Sequence, residues 1–239
     1  MILMLKIRII LPTYNEKKNL KILLPKIFEV FKKNKLDADI LIIDDNSPDK
    51  TSDFVEEMSK KFPIKLIKRE GKRGLGSAYI KGFKESLKDN KDIIFEMDAD
   101  LSHKPKYIID FINKINEGYD FVLGERKKII GWSFYRKLLS RGGNLIGKYL
   151  AGIDVKDLTT GYRAYKKEVL NKIDFNKIES NGYAFQLETV YRSLSNGFKV
   201  GSVPIIFSDR ESGSSKLSNW DIIEFFILAL KIRLGLINV

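Results

Sequence analysis

The sequence predicts an α/β protein with a mostly parallel central sheet flanked by helices. Two patterns carry this. Short β-rich runs alternate with helical stretches through the first half, which is the signature of βαβ units. Polar clusters also recur where those runs end: "PTYNE" (12–16), "DDNSPDKT" (44–51), "DADLSH" (98–103) and "GERKK" (124–128). In open α/β sheets ligands bind beyond the carboxyl ends of the strands, so four loops are expected to converge on one edge.

In chain order, strands are expected at 7–11, 39–44, 64–68, 92–98 and 120–124, with helices at 17–34, 50–61, 75–88 and 105–117 between them. The second half is less regular. An amphipathic helix is expected at 132–150, a turn-rich connector at 157–165 and a helix at 181–197 with Gly197 as its C-cap. A strand at 199–207 and a polar loop at 208–219 follow. No internal repeat or low-complexity linker interrupts the chain. One catalytic domain (1–219) and a C-terminal amphipathic segment (220–239) are expected.

The 239 residues suffice for a sizeable core. There is no cysteine, which rules out disulfides and thiolate metal sites. The net charge of +12 favours anionic partners, or reflects only a solvated basic surface. "MILMLKIRIIL" carries Lys6 and Arg8 and no small-residue cleavage pattern, so it reads as a first strand and not as a signal peptide. No run reaches the ~18 uncharged apolar residues of a membrane span. The nearest, "IIEFFILALKIRLGLINV", is broken by Glu224, Lys231 and Arg233.

"FEMDADLSHKPKYI" (95–108) sets Asp98 and Asp100 one residue apart at a strand end, followed by the only histidine, His103. Alternate strand residues face the same way, so both carboxylates can meet one ligand. Hard cations such as Mg²⁺ or Mn²⁺ take carboxylate oxygens and share their remaining positions with substrate phosphates. The plainer reading is a turn in which Asp100 or Ser102 caps a helix that starts at Pro105. "DDNSPDKT" is likewise turn chemistry, with Asp49 as a helix cap. The adjacent carboxylates of Asp44 and Asp45, however, need a cation or several donors nearby. The glycines of "GKRGLGSAYIKG" (71–82) could bring backbone near a phosphate, but the fingerprint positions for dinucleotides and P-loops are absent. No zinc-finger spacing and no helix-turn-helix supports nucleic-acid binding.

The ordered set "PTYNE", "IDDNSPDKT", "MDADLSH", "GERKK", "WSFYRKLLSRGGN", "DLTTGYRAY", "GYAFQLE" and "SDRESGSSKL" resembles the dolichol-phosphate mannose synthases, which are family 2 glycosyltransferases of GT-A fold. The resemblance spans about residue 7 to about residue 230. It implies a GDP-mannose donor bound by Pro12, Tyr14, Glu16, Ile43, Asp45, Asp98, Ala99, Asp100, Arg126, Arg210 and Lys216. It implies a divalent cation, Mg²⁺ or Mn²⁺, held by Asp100. Some relatives have Gln as a second ligand where this chain has Ser102. Arg126, Arg136 and Ser140 are implied to hold the phosphate of the acceptor, a dolichyl or other polyprenyl phosphate, and Asp98, Asp100 and Arg126 to be the catalytic set. Relatives either carry membrane helices or depend on small membrane-anchoring subunits, so the terminal helix is expected to lie on a bilayer, at the cytoplasmic face of a membrane.

The chemistry agrees with these implications. A lipid phosphate attacking C1 of a sugar on a diphosphate brings several anions together. Two unit charges ~4 Å apart repel by roughly 4 kcal/mol at an effective dielectric of ~20. Metal and arginine offset that repulsion. The nucleophile is already anionic, so no general base is required, and direct displacement inverts C1 to a β-linked product. The alternatives are another nucleotide sugar such as UDP-glucose, and a non-catalytic sugar-nucleotide-binding membrane subunit.

Overall fold

The computed structural model describes residues 5–71, 74–178, 180, 182–209 and 219–237. The first half alternates strand and helix: β1 (Lys6–Thr13), α1 (Lys17–Lys33), β2 (Asp37–Asp44), α2 (Thr51–Ser59), β3 (Ile64–Lys68), α3 (Leu75–Lys88) and β4 (Ile93–Glu96). A 3-10 turn (Pro105–Tyr107) then leads into α4 (Ile108–Asn116). The second half contains β5 (Phe121–Ile130), α5 (Phe134–Ala151), β6 (Arg163–Lys166), α6 (Lys167–Lys172), α7 (Gly182–Ser195), β7 (Val200–Ser208) and α8 (Asn219–Arg233).

Among the described residues the strands form one seven-stranded sheet in the order β3-β2-β1-β4-β6-β5-β7. Only β6 runs antiparallel to its neighbours. The period of two along each strand divides the core into two layers. Ile7, Ile9, Leu11, Ile40 and Ile42 face α1 and α4, while Ile10, Leu41 and Ile43 face α3 and α7. Helices therefore cover both faces, and the apolar runs of β1 and β2 are buried on both sides, as parallel strands require.

The expected α/β class with a mostly parallel sheet is what the structure has. The connector expected at 157–165 is corrected at its end: β6 begins at Arg163 and fills the gap between β4 and β5. "RAYK" has no strand periodicity of its own. Hydrogen bonds from both sides make it a strand, a tertiary effect that overrides local propensity. Two of the glycines of 71–82 serve packing, while Gly74 lines the cavity that Asp98 and Asp100 also line. A Cβ at Gly82 would come 2.8 Å from Ile10, and one at Gly76 would come 3.0 Å from the Phe185 ring. Their absence lets α3 lie close to β1 and α7.

Helix α8 is apolar nearly all round. Phe225, Leu228, Ala229 and Ile232 enter the same core as α7, and a Cβ at Gly147 of α5 would approach Phe225 at 2.4 Å. The opposite face leaves Trp220, Ile223, Ile227, Leu230 and Leu234 exposed. Beside it, α5 exposes Phe134, Tyr135, Leu138, Leu139, Leu145, Ile146 and Tyr149.

Candidate active site

The carboxyl ends of β1, β2 and β4 carry the expected polar loops, and each is shaped by a left-handed residue. Asn15 (φ 61°) and Asn46 (φ 57°) turn the chain after β1 and β2, a conformation asparagine tolerates well. The two loops bond to each other: Asn15 N–H donates to Ser47 Oγ at 2.9 Å and Lys17 N–H to Asp49 at 3.1 Å. Asp49 also accepts from Thr51 N–H at 3.0 Å, so one carboxylate serves the starts of both α1 and α2.

The adjacent carboxylates of 44 and 45 are kept apart by different partners. Asp44 accepts from Thr13 Oγ1 (2.8 Å), Ser52 Oγ (2.7 Å), and the backbone and hydroxyl of Ser47 (3.0 and 2.6 Å). Asp45 takes the fork of Arg69, whose Nη2 donates to it at 2.7 Å and whose Nη1 donates to Ser77 at 2.7 Å. Nothing in the local pattern of "IKLIKRE" singles out Arg69. Only strand pairing carries it to Asp45.

After β4 the chain makes a strained turn. Leu101 has φ 67°, which for a bulky residue costs about 1–2 kcal/mol. The turn brings Ser102 N–H back onto Asp100 at 3.1 Å. Asp100 and Ser102 are both buried, and the Ser102 hydroxyl has no partner. Asp98 N–H donates to His103 Nδ1 at 3.1 Å, which puts the proton of a neutral ring on Nε2. The ring stacks on Tyr162 at 4.9 Å, so His103 braces the turn. Gly161 lies beside the Asp98 carboxylate, a Cβ built on it standing 3.4 Å away.

These parts surround a cavity of about 360 Å³ lined by Pro12, Glu16, Asp98, Ala99, Asp100 and Arg126, among others. Its far end brings an arginine, a carboxylate and aromatic rings together. Arg136 lies 4.1 Å from the centre of the Trp132 ring and 3.4 Å from Asp209. Trp132 Nε1–H donates to Asp209 at 3.1 Å. Arg136 lines the cavity, and Ser140 sits one turn further along the same face of α5. Tyr14, Ile43, Asp45, Ser102 and Ser140 do not line it. Ile43 is wholly buried in the core. Arg210 and Lys216 lie outside the described residues.

Arg126 is less free than a phosphate-binding arginine read from sequence. Its Nε and Nη2 donate to Asp157 at 2.7 and 2.8 Å, and Nη2 also reaches Thr159. Burial opposes both charges. The pairing outweighs it, raising the guanidinium and holding the Asp157 carboxyl below the ordinary range. A register shift between Arg126 and Lys128 in the β5–β7 ladder bends the strand here, as bulges do next to active sites. Asp157 lies in the turn-rich connector, where a lone aspartate gives no sign of the arginine it will meet.

Among the described residues no three His, Asp or Glu side chains cluster as a metal cage. The donor set suits a cation of the Mg²⁺ or Mn²⁺ kind that would be held by one or two carboxylates and would share its remaining positions with substrate phosphates. Asp98 and Asp100, which line the cavity, fit that role, with the Ser102 hydroxyl buried beside Asp100 and not itself on the cavity wall.

Comparison with known proteins follows the same lines. The family model described as glycosyl transferase family 2 matches residues 8–174. Polyprenol monophosphomannose synthase of Mycolicibacterium smegmatis is 37% identical over 222 residues, covering 90% of this chain and 82% of that protein. Undecaprenyl-phosphate mannosyltransferase of Micrococcus luteus is 36% identical over 219 residues, covering 90% and 88%. Glucosyl-3-phosphoglycerate synthase from Mycobacterium tuberculosis, solved with Mn²⁺, UDP-glucose and phosphoglyceric acid, superposes with a TM-score of 0.70. The match covers 96% of this chain and 80% of that one at 16% identity, which speaks to the shared GT-A fold. With its parallel sheet, its carboxylate turn at the end of β4 and a family match across most of its length, the chain belongs to glycosyl transferase family 2.

Proposed function

We propose that the protein transfers mannose from GDP-mannose to the phosphate of a polyprenol such as dolichol, with a divalent cation and with inversion at C1. One observation carries this reading. A single cavity has paired carboxylates at one end and an arginine stacked on an aromatic ring at the other, in a chain 36–37% identical to two polyprenyl-phosphate mannosyl enzymes. An anionic donor neutralised by metal fits the first end, and an anionic acceptor fits the second.

In this mechanism an oxygen of the lipid phosphate attacks C1, the bond from C1 to the donor diphosphate breaks, and GDP leaves with the electron pair. No proton moves. Asp100, with Asp98 and Ser102, would hold a divalent cation that neutralises charge on the diphosphate. Arg126, fixed by Asp157, lies between the two ends and stabilises charge where it develops. Such a preorganised group commonly contributes ~3 kcal/mol. Arg136 orients the acceptor phosphate. Arg136→Ala is expected to raise the lipid KM about tenfold, the worth of one charged hydrogen bond, and to leave the donor KM unchanged. Steady-state kinetics with each substrate varied in turn would check this. A rise in the donor KM alone would move Arg136 out of the acceptor site.

The exposed apolar faces of α5 and α8 support attachment to a bilayer. The helices pack side by side, Lys137, Arg141, Lys231 and Arg233 flank them, and Arg136 sits at the start of α5. Apolar residues buried at the headgroup boundary with basic neighbours match a helix pair lying in the interface. No helix among the described residues is long and apolar enough to cross a membrane. Deleting α8 would strip the core of Phe225 and Leu228, so point charges are the cleaner probe. Leu138→Glu with Ile227→Glu is expected to abolish flotation with anionic liposomes and leave GDP binding intact. Undiminished flotation would refute bilayer attachment through these faces.

The deciding experiment is sugar transfer to dolichyl phosphate in liposomes from GDP-mannose, UDP-glucose and UDP-GlcNAc, each with Mn²⁺ and with EDTA. Metal-dependent mannosyl-lipid from GDP-mannose alone is expected. Transfer only from a uridine donor would keep the mechanism and replace the substrate. Nucleotide binding without any transfer would favour a binding subunit.

A further inference from the structure

One buried amide lies on the donor cavity with its oxygen unused. Gln186 of α7 is 2% exposed and lines the cavity with Asp98 and Gly161, yet its Oε1 has no partner. Its Nε2 donates to Glu96 Oε2 at 2.8 Å. Glu96 is wholly buried at the end of β4, two residues before Asp98, and its other oxygen accepts from the Tyr165 hydroxyl at 2.7 Å. The carboxylate thereby sets the direction of the amide, because turning it over would bring oxygen against oxygen. The backbone is held as firmly. Arg163, fully buried, donates to Gln186 C=O at 2.8 Å and to Thr160 C=O at 2.7 Å, tying this turn of α7 to the loop beside Asp98.

The result is a fixed, desolvated acceptor, and a buried acceptor destabilises the protein until a donor reaches it. Phosphate oxygens and metal ions cannot donate a hydrogen bond. A hexose next to the diphosphate can, through its hydroxyls. We propose that Gln186 receives a hydroxyl of the transferred sugar and so takes part in selecting it, with Glu96 and Tyr165 as positioning residues. This rests on the reading of the cavity as a nucleotide-sugar site. Gln186 lies in the "GYAFQLE" stretch, which by itself gives the amide no role. Its significance comes from the unpaired oxygen.

The test pairs Gln186→Met, of similar volume, with donors lacking single hydroxyls (2-, 3-, 4- and 6-deoxy GDP-mannose). The variant is expected to lose roughly 10- to 100-fold in kcat/KM with the parent donor, the usual penalty for a missing buried hydrogen bond. With one deoxy donor alone, wild type and variant should converge. An equal loss on every donor would mean a merely structural role and overturn the proposal, as would no loss. Gln186→Asn, which retracts the oxygen and keeps the amide, carries the same expectation should the methionine variant fail to fold. A binding arm separates this inference from the assigned reaction. Calorimetry compares GDP-mannose with GDP, and UDP-glucose with UDP. If the wild type transfers no sugar, the assigned reaction fails, and the affinity gap between a sugar nucleotide and its diphosphate still decides. A gap that collapses in the variant supports Gln186 as the sugar contact. A gap that survives, or none in the wild type, overturns it.

Discussion

Replacing Asp100 by asparagine is expected to lower kcat/KM for sugar transfer on the order of 10³-fold, with the melting temperature unchanged within about a degree. Asparagine keeps the oxygen that accepts from Ser102 N–H at 3.1 Å, so the turn around Leu101 survives. What is lost is one negative charge at a buried position beside Asp98. The residual activity should need far more Mn²⁺ than the wild type, and a metal titration at saturating donor measures that shift. Ser102→Ala should move the same titration by a smaller amount, since a hydroxyl is the weaker ligand. An Asp100→Asn enzyme with an unaltered metal requirement would remove Asp100 from the metal site altogether.

Asp157→Ala is expected to have the largest effect on stability. The substitution leaves the Arg126 guanidinium buried without its counter-charge, a change that costs about 3–5 kcal/mol and should lower Tm by roughly 10 °C. Transfer should fall with it, because Arg126 is then free to leave the cavity. The pH dependence follows from the direction of the shift. The Asp157 carboxyl is held below its ordinary range when folded, so its contribution is complete at neutral pH. It disappears as pH drops through the lowered value, where the folded carboxyl takes up its proton. Thermal melts of wild type and variant should therefore differ most above pH 5 and converge in strong acid. Parallel melting curves at every pH would show that Arg126 finds another partner.

Much of the architecture can be read from the chain. β3 and α3 occupy residues 64–68 and 75–88, as their periodicity predicts, and β1, β2 and α1 differ only at their ends. Three of the polar clusters stand at strand ends because a turn follows a buried strand where its apolar run stops, and parallel strands bring those turns to one edge. Pro12, Glu16, Asp98, Ala99 and Asp100 meet around one cavity for that reason, and Arg126 joins them from within β5 and Arg136 from α5. The fourth cluster, "GERKK" (124–128), expected after a strand ending at 124, lies inside β5, whose pairing with β7 carries it on to Ile130. Partners distant in sequence are a different matter. Arg69 on Asp45, Asp157 on Arg126 and Glu96 on Gln186 join residues 24, 31 and 90 positions apart, and no local pattern encodes such pairs.

The sequence alone thus determined the fold class, the edge of the sheet that carries the site and the carboxylates at its centre. Each of these follows from local rules: the period of apolar residues, and the turn chemistry of Asn, Asp, Ser and Pro. The tertiary structure alone decided which charges are free and which are engaged. It turned "RAYK" into a strand by pairing it on both sides, and it placed Ile43 inside the core by the parity of β2. It divided the apolar surface of α8 between the interior and the solvent. The physical reason is the same throughout. A hydrogen bond or an ion pair forms wherever folding brings a donor within about 3 Å of an acceptor, and in a parallel sheet that distance is set by neighbours far away along the chain.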